Sequence, residues 1–494
     1  MFDEAKLEFI AHHPAIAKTV VQGLGKEVER LRKMVAGLKG AGNDHALMEV
    51  IGQYLEEAKQ NEDIEKARKF GRSSERRGQG KTDEVSKRTK PEGSGKQSLQ
   101  NDLPLEIEER ELTQAGDLKC GCGLMLKPMN QAEVSEEVDY IPAKFILRRI
   151  VRRKYRCRCG VIRTAPGATK LVDSGQYSID FAAEVCARKY SDHQPLQRIS
   201  KAMKRDGLKV APSTLWNQTR HMADALELVY EAIRAEIKNS YLRHADETRW
   251  RILEDVSTKT QYVWLFCNKH HAYFTIEETR GSEVPQKVLD SCQGILVADD
   301  YAGYNAIVKE HSLTRAHCWS HARRKFAELE GYYPEKIANV LDLIALLYRK
   351  DREFRFDGPL TAARRQKLCG PVIKEIDTWR KKQAVLPRSN FGKALGYLHN
   401  CWEGLTRFLD EPQAPLDNNL AERVLRGVVL GRKNFMFNRS THGAWVSSIL
   451  YSVCASCDLN GVNPKAYMAE TVRQIRNCQK FLLPYEYALK EQGI

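Results

Sequence analysis

Tyr241-Leu242-Arg243-His244-Ala245-Asp246-Glu247-Thr248 opens the stretch that decides the fold, residues 240–326. Trp250-Arg251-Ile252-Leu253 comes next, then Tyr262-Val263-Trp264-Leu265-Phe266-Cys267 and Ala272-Tyr273-Phe274-Thr275-Ile276. These four runs are rich in β-branched and aromatic residues and are divided by polar turns, so each is expected as a strand. A helix is expected near 282–291. Gly294-Ile295-Leu296-Val297-Ala298-Asp299 is then a nearly unbroken apolar run, the pattern of a strand covered on both faces. Strand, helix, strand predicts a crossover that lays 295–299 parallel to an earlier strand. A further strand is expected at 313–318 and a helix at 319–330, with Arg323, Arg324 and Lys325 in its first turns.

Asp246 and Asp299 each stand in, or at the end of, an apolar strand. A carboxylate there costs desolvation energy unless it is solvated, paired or bound to a cation. Ligands of open α/β sheets collect beyond the carboxyl ends of strands. If the two strands are neighbours, both acids can face one crevice, a hard-oxygen site suited to Mg²⁺. The same residues also fit a plainer reading, in which each acid ends a strand and begins a turn.

The chain has 494 residues, enough for several domains, and a formal net charge of +15. A basic excess of this size suggests a polyanionic partner, most simply nucleic acid, though charge alone also fits a generally soluble basic protein. Met1-Phe2-Asp3-Glu4 lacks the basic start and apolar core of a secretory signal, and no apolar run is long enough to span a bilayer. Thirteen cysteines, an odd count with few pairs, fit a reducing cytoplasm better than a disulfide framework.

Working outward, Val21, Leu24, Val28, Leu31, Val35 and Leu38 alternate by three and four, which predicts a two-stranded coiled coil within 1–70. An amphipathic helix packed inside the monomer fits the same pattern. Residues 71–103 are Ser, Gly, Lys and Glu with little that is apolar, a basic flexible linker. In 104–170 two pairs, Cys120 with Cys122 and Cys157 with Cys159, predict a small Zn²⁺ module; four free thiols in loops is the alternative. Ile146-Leu147-Arg148-Arg149-Ile150-Val151-Arg152-Arg153-Lys154 reads as a basic strand, touching DNA or simply solvated. In 171–239 a helix at 195–205, a break at Gly207 and a second helix at 213–223 capped by Ser213 resemble a helix-turn-helix, with Asn217, Gln218 and Arg220 as DNA readers; an ordinary helical pair fits the same pattern. His317, Cys318 and His321 are three possible zinc ligands with no fourth nearby in sequence, and contacts to nucleic acid or packing are the preferred reading. Residues 329–412 are expected to be helical. In 413–437, Asp417 or Asn418 can cap a helix that sets Asn418, Glu422 and Arg426 on one face and turns Leu420, Val424 and Leu425 to the core. A Glu422–Arg426 pair on a solvated face accounts for the same spacing. Gly431-Arg432-Lys433-Asn434 is expected as a basic turn, and 438–494 as helices.

Taken in order, several short motifs resemble the DDE transposases of the bacterial insertion-sequence-66 family. They are Phe70-Gly71-Arg72-Ser73-Ser74-Glu75, the cysteine-pair module, His244-Ala245-Asp246-Glu247-Thr248 and Ala298-Asp299-Asp300-Tyr301-Ala302-Gly303-Tyr304-Asn305. His317-Cys318-Trp319-Ser320-His321-Ala322-Arg323-Arg324-Lys325-Phe326, Leu416-Asp417-Asn418-Asn419-Leu420-Ala421-Glu422-Arg423 and Leu459-Asn460-Gly461-Val462-Asn463-Pro464 complete the series. Asp300 stands where that family usually has Gly. The resemblance implies a multidomain α/β protein with a ribonuclease-H-like mixed-sheet core. That core would run over 240–328, be interrupted by a helical insertion, and take its third acid from 413–437. By motif position the triad is Asp246, Asp299 and Glu422, with gaps of 299−246=53 and 422−299=123 residues. It would hold two Mg²⁺ (or Mn²⁺) ions for DNA cleavage and strand transfer. Candidate DNA contacts are Arg148, Arg149, Arg152, Arg153, Lys154, Asn217, Arg220, His321, Arg323, Arg324, Lys325, Arg423, Arg426, Arg432 and Lys433. Implied partners are double-stranded DNA at element ends and target, a second copy of the chain and small accessory proteins, in the cytoplasm at the bacterial nucleoid and without a membrane. A DNA-binding regulator derived from a transposase and a plain Mg²⁺-dependent nuclease of the same fold are the competing functions.

Overall fold

The computed structural model describes Ile64 and residues 144–159, 161–254, 260–310, 313–385 and 388–493. The expected coiled coil in 1–70 (Ile64 apart), the linker in 71–103, and Cys120 and Cys122 lie outside these residues. The chain divides into two units. The smaller comprises Ser74–Val151 and Ala202–Lys209; the larger comprises Met1–Ser73, Arg152–Lys201 and Val210–Ile494.

The larger unit is built on a five-stranded sheet of β3 (Leu242–Trp250), β4 (Gln261–Cys267), β5 (Ala272–Glu277), β6 (Gly294–Ala298) and β7 (Leu313–His317), ordered β5-β4-β3-β6-β7. The first three form antiparallel pairs, and a short turn joins the second to the third. At the β4–β5 turn the Asn268 side chain accepts from the backbone N–H of His270 and His271. A crossover through α4 (Glu283–Val288) then lays β6 parallel to β3, and α5 (Asn305–Glu310) leads to β7, parallel to β6. The expected strand at 250–253 is not separate. The β3–β4 ladder runs unbroken to Trp250↔Gln261, and Ile252 instead bridges to Asn438.

β6 is covered on both faces, as its apolar run requires. Leu296 and Ala298 enter one core, Ile295 and Val297 the other. The first core takes α1 (Ile179–Tyr190), α3 (Pro212–Asn239), α11 (Asn419–Phe435), α12 (Thr441–Leu459) and α13 (Pro464–Arg476) against β3–β5. The second is made with α6 (Trp319–Ala327), α7 (Pro334–Phe356), α8 (Ala362–Lys382), α9 (Asn390–Asn400) and α10 (Trp402–Thr406). α14 (Pro484–Glu491) closes the chain against α12. Two buried side chains tie this helical stretch together: Arg365 pairs with Asp351 and also donates to the Ala414 carbonyl at 2.7 Å.

β5 is the outer strand of the sheet, and its unpaired N–H groups are met by a helix rather than by water. The Ser452 hydroxyl accepts from Phe274 N–H at 2.8 Å and the Ser456 hydroxyl from Ala272 N–H at 3.0 Å. The two serines are four apart on α12, so they fall on one helix face at the spacing of alternate strand residues.

Local expectations are corrected in four places. The basic run at 146–154 is not a strand over its length. Pairing begins at Lys154, where β1 (Lys154–Arg156) meets β2 (Ile162–Thr164). After α2 (Leu196–Arg205), the second helix of the expected helix-turn-helix is α3, which continues to Asn239 and delivers the chain into β3. Its cap is Ala211 rather than Ser213, because Pro212 fits the first helical position, where no N–H is needed. Gly431–Asn434 is the last turn of α11, not a loop. The helix ends only at Met436, whose backbone turns to φ 64°.

Ser452→Ala should strand the Phe274 N–H in a buried position and cost about 1–3 kcal/mol, read as a lowered denaturant midpoint with an unchanged m-value.

Candidate active site

The parallel register places the acids. His244 is level with Val297. Two residues further on, Asp246 on β3 comes level with Asp299, just past the end of β6, since 246−244 and 299−297 are both 2. Side chains alternate along a strand, so His244, Asp246 and Thr248 share the face that meets α11. The ends of that face are fixed by polar contacts. At one end Asn418 Oδ1 lies 2.9 Å from His244 Nδ1, while its Nδ2 donates to the Ala245 carbonyl at 2.8 Å. At the other Arg432 donates to the Thr248 hydroxyl at 3.1 Å and to the Arg249 carbonyl. Glu422 sits one turn into α11, its N–H bonded to the Asn418 carbonyl.

The helix turns by its apolar stripe. Ala421, Leu425 and Val428 are buried, Leu420 and Val424 are partly buried, and Arg423 and Arg426 are exposed. Asn418 is the N-cap residue, but its side chain makes no capping bond because it is spent on β3. Glu422 does not pair with Arg426. Its Oε1 lies 3.7 Å from His321 Nε2 on α6 and is buried without a hydrogen bond.

Asp299 and Glu422 are close enough to Asp246 to oppose its ionisation. Burial first, then Glu247, and then Asp299 and Glu422 raise the Asp246 carboxyl to about 7, against a hydrogen bond from the Glu247 N–H. Asp299 accepts from Tyr301 N–H at 3.0 Å. On the opposite face of β3, Glu247 is also raised, chiefly by burial, although Tyr304 donates to it at 2.7 Å and Arg280 Nε at 2.9 Å. Sequence reading passes over Glu247; its place beside Asp246 is the available signal.

The motif at 317–321 lies against this site. Cys318, His321 and Glu422 bring one ligand atom each within 4.8 Å of the others. The Cys318 sulfur accepts from Asn418 N–H at 3.2 Å. The partner missing in sequence is thus supplied from about a hundred residues away, and His321 faces Glu422 rather than open solvent. Asp300, His317 and Cys401 form a second such cluster.

Of the other candidate residues, Arg148, Arg149, Arg152, Arg153, Lys154, Asn217, Arg324, Lys325 and Lys433 are exposed, while Arg220 and Arg323 are half-buried. Lys325 Nζ lies 4.5 Å over the Tyr397 ring. Arg432 is half-buried, with its guanidinium engaged on Thr248 and Arg249 of β3. Cys157 and Cys159 are exposed thiols in the β1–β2 hairpin. A backbone hydrogen bond from Cys159, and then its side chain, hold the Cys157 thiol below the ordinary range.

A family model described as Transposase IS66 family matches residues 174–445, more than half of the chain and inclusive of all three acids. The chain belongs to the IS66 transposase family. A second model, the zinc-finger binding domain of transposase IS66, matches 118–160, which contains both cysteine pairs. The IS66 assignment carries with it a zinc-finger domain and a DNA partner. Among curated relatives, uncharacterized protein y4hP of Sinorhizobium fredii is 29% identical over 429 residues, 79% of this chain and 77% of its own length. Uncharacterized protein y4jD of the same organism is 27% identical over 391 residues, 73% of this chain and 76% of its own. Among the described residues of this IS66 transposase, no helix is long and apolar enough to cross a membrane.

Asn418→Ala should leave the Ala245 carbonyl and His244 ring unpaired and cost about 1–3 kcal/mol for each stranded group, measured by chemical denaturation. A second outcome concerns Asp246. The folded carboxyl keeps its proton to about pH 7, whereas an unfolded one releases it near 3.9. Between these values the folded chain binds more protons, so metal-free stability falls as pH rises through the window. In chelator, the wild-type slope should exceed that of Asp246→Asn by up to about 1.4 kcal/mol per pH unit.

Proposed function

We propose that this chain is a DNA transposase that cuts phosphodiester bonds at the ends of an insertion element and joins the freed 3′-hydroxyls to target DNA, with Asp246, Asp299 and Glu422 as its catalytic acids. One observation carries the reading. Asp246 on β3 and Asp299, just past the end of the parallel neighbour β6, stand near Glu422 on a helix clasped to β3 by Asn418. The order β5-β4-β3-β6-β7, with an antiparallel trio and two parallel additions, supports a ribonuclease-H-like sheet. In this reading 240–328 is the first part of the core, 329–412 the helical insertion, 413–437 the segment that returns the third acid and 438–494 a helical C-terminal region.

The residues fit a hard divalent cation. All three donors are carboxylates, Glu422 Oε1 is buried with no hydrogen bond, and like charges already oppose ionisation of Asp246. Asp246, Asp299 and Glu422 would hold Mg²⁺ or Mn²⁺. When bound, a pair of such ions supplies Lewis-acid activation of the attacking oxygen and charge neutralisation at the leaving oxygen. Asp246 and Asp299 are fixed by the sheet. Glu422 is oriented by the α11 anchor and by His321. Arg423 and Arg426, exposed on the same helix, give the DNA backbone positive charge beside the acids. One site serves cleavage by water and joining by a 3′-hydroxyl, because both are in-line displacements at phosphorus.

The remaining modules bring DNA to that site. Cys120, Cys122, Cys157 and Cys159 hold structural Zn²⁺ in the finger. The finger's exposed arginines and the α2–α3 pair, with Asn217 exposed on α3, engage the element ends. A coiled coil within 1–70 pairs two copies so that both ends are held together, and small accessory proteins complete the assembly.

With labelled element ends and Mg²⁺, the wild type should nick and then join, and chelator should stop both steps. Asp246→Ala should lower cleavage by at least about a thousandfold while end binding stays within about threefold. Cutting without joining would make the protein a nuclease, and binding without cutting a regulator. Equal loss of binding and cleavage in the variant would remove Asp246 from the chemistry.

A further inference from the structure

Next to Asp299 the fold gathers a second donor set of different chemistry. Asp300 follows β6, His317 ends β7, and Cys401 stands between α9 and α10. One carboxylate oxygen, one imidazole nitrogen and one sulfur all lie within 4.8 Å of one another. His317 Nε2 is 3.7 Å from Asp300 Oδ1.

Ordinary packing does not account for this set. Both ring nitrogens of His317 are buried and neither has a hydrogen-bond partner, although a neutral imidazole carries one donor and one acceptor. The ring is held there by shape. A Cβ on Gly404 would fall 1.9 Å from His317 Nδ1, so only glycine lets α10 lie against the imidazole. A cysteine–histidine nucleophile is excluded by access, since Cys401 is fully buried and its sulfur cannot reach a substrate. The Tyr397 hydroxyl is buried beside Cys401.

Sulfur, imidazole and carboxylate together suit a borderline divalent cation. Nitrogen and oxygen ligands of tetrahedral Zn²⁺, with bonds of about 2.0–2.2 Å, stand about 3.3–3.5 Å apart, and the His317–Asp300 pair at 3.7 Å needs only a small closure to reach that spacing. Arg315 opposes a cation here, but its guanidinium is turned to the Asp299 and Tyr301 carbonyls and to Asn305. A carboxylate and a thiolate outweigh its single charge. We propose that Asp300, His317 and Cys401 form a zinc site, distinct from the finger and from the three catalytic acids, with the fourth position open to water on the exposed side of Asp300. Its ion would join the turn that carries Asp299, the end of β7 and the start of α10. It would thereby pin the helical stretch to the carboxyl edge of the sheet without using Asp246, Asp299 or Glu422.

Full-length protein loaded with Zn²⁺ and freed of excess metal should hold one equivalent more than His317→Ala, Cys401→Ser or Asp300→Gly. The finger is intact in all four and cancels. With Co²⁺, thiolate charge-transfer absorbance should fall in Cys401→Ser and stay unchanged in Cys369→Ser, a buried cysteine outside the cluster. Thermal melting in chelator reports whether each variant folds, and the exposed Asp300→Gly gives the same readout if a buried change does not. Equal metal content in the wild type and a folded Asp300→Gly or His317→Ala, or an equal absorbance loss in Cys369→Ser, would overturn the assignment.

Discussion

A single buried amide sets the geometry of the site. Asn418, 1% exposed, contacts the His244 ring, donates to the Ala245 carbonyl and presents its own N–H to the Cys318 sulfur. These partners belong to one strand, β3, and to the start of a helix, and all lie at least a hundred residues away in sequence. The amide gives up helix capping to make these bonds. That exchange is favourable in a buried place, where an unmet carbonyl costs more than an uncapped helix end facing solvent. Glu422 inherits its position from this contact, because one helical turn is all that separates them.

Electrostatics then explains why a helix, rather than a loop, brings the third acid. Burial and then neighbouring like charges drive Asp246 toward its protonated form, and a mobile Glu422 would remove its share by swinging into water. Clasped at Asn418 and again at Arg432, α11 keeps Glu422 facing His321. Under the proposed function, the arrangement is costly for the bare chain and would become favourable once a cation binds.

Legibility in the sequence depends on range. Alternating and continuous apolar runs announce the strands, and the order strand, helix, strand announces the parallel pairing that levels Asp246 with Asp299. Motif order supplies Glu422, which no local pattern could attach to that sheet. The departures share a physical cause. Local turn chemistry divides Trp250–Leu253 from β3, favours Ser213 as a cap and makes a loop of Gly431–Asn434. The ladder, a proline at the first helical position and tertiary packing prevail over it. The roles of Asn418, Arg432 and Cys401 are invisible for a different reason: each is defined by partners far along the chain.

The same contacts explain how a long helical stretch can sit between the second and third acids without moving them. Its entry and exit are joined at the base: Trp319 N–H donates to the Leu416 carbonyl at 2.9 Å, and Asn418 N–H to the Cys318 sulfur. A loop closed at its ends by specific bonds passes little of its internal motion to the helix beyond it, since closure entropy grows only slowly with length. α7–α10 can therefore vary in content while α11 starts from the same place. Among the points that couple that stretch inward are Arg365 on the Ala414 carbonyl and Gly404 against His317. The first fixes the return of the chain to α11. The second touches the strand end beside Asp299, so the helices reach the active site through the imidazole of His317 rather than through the acids themselves.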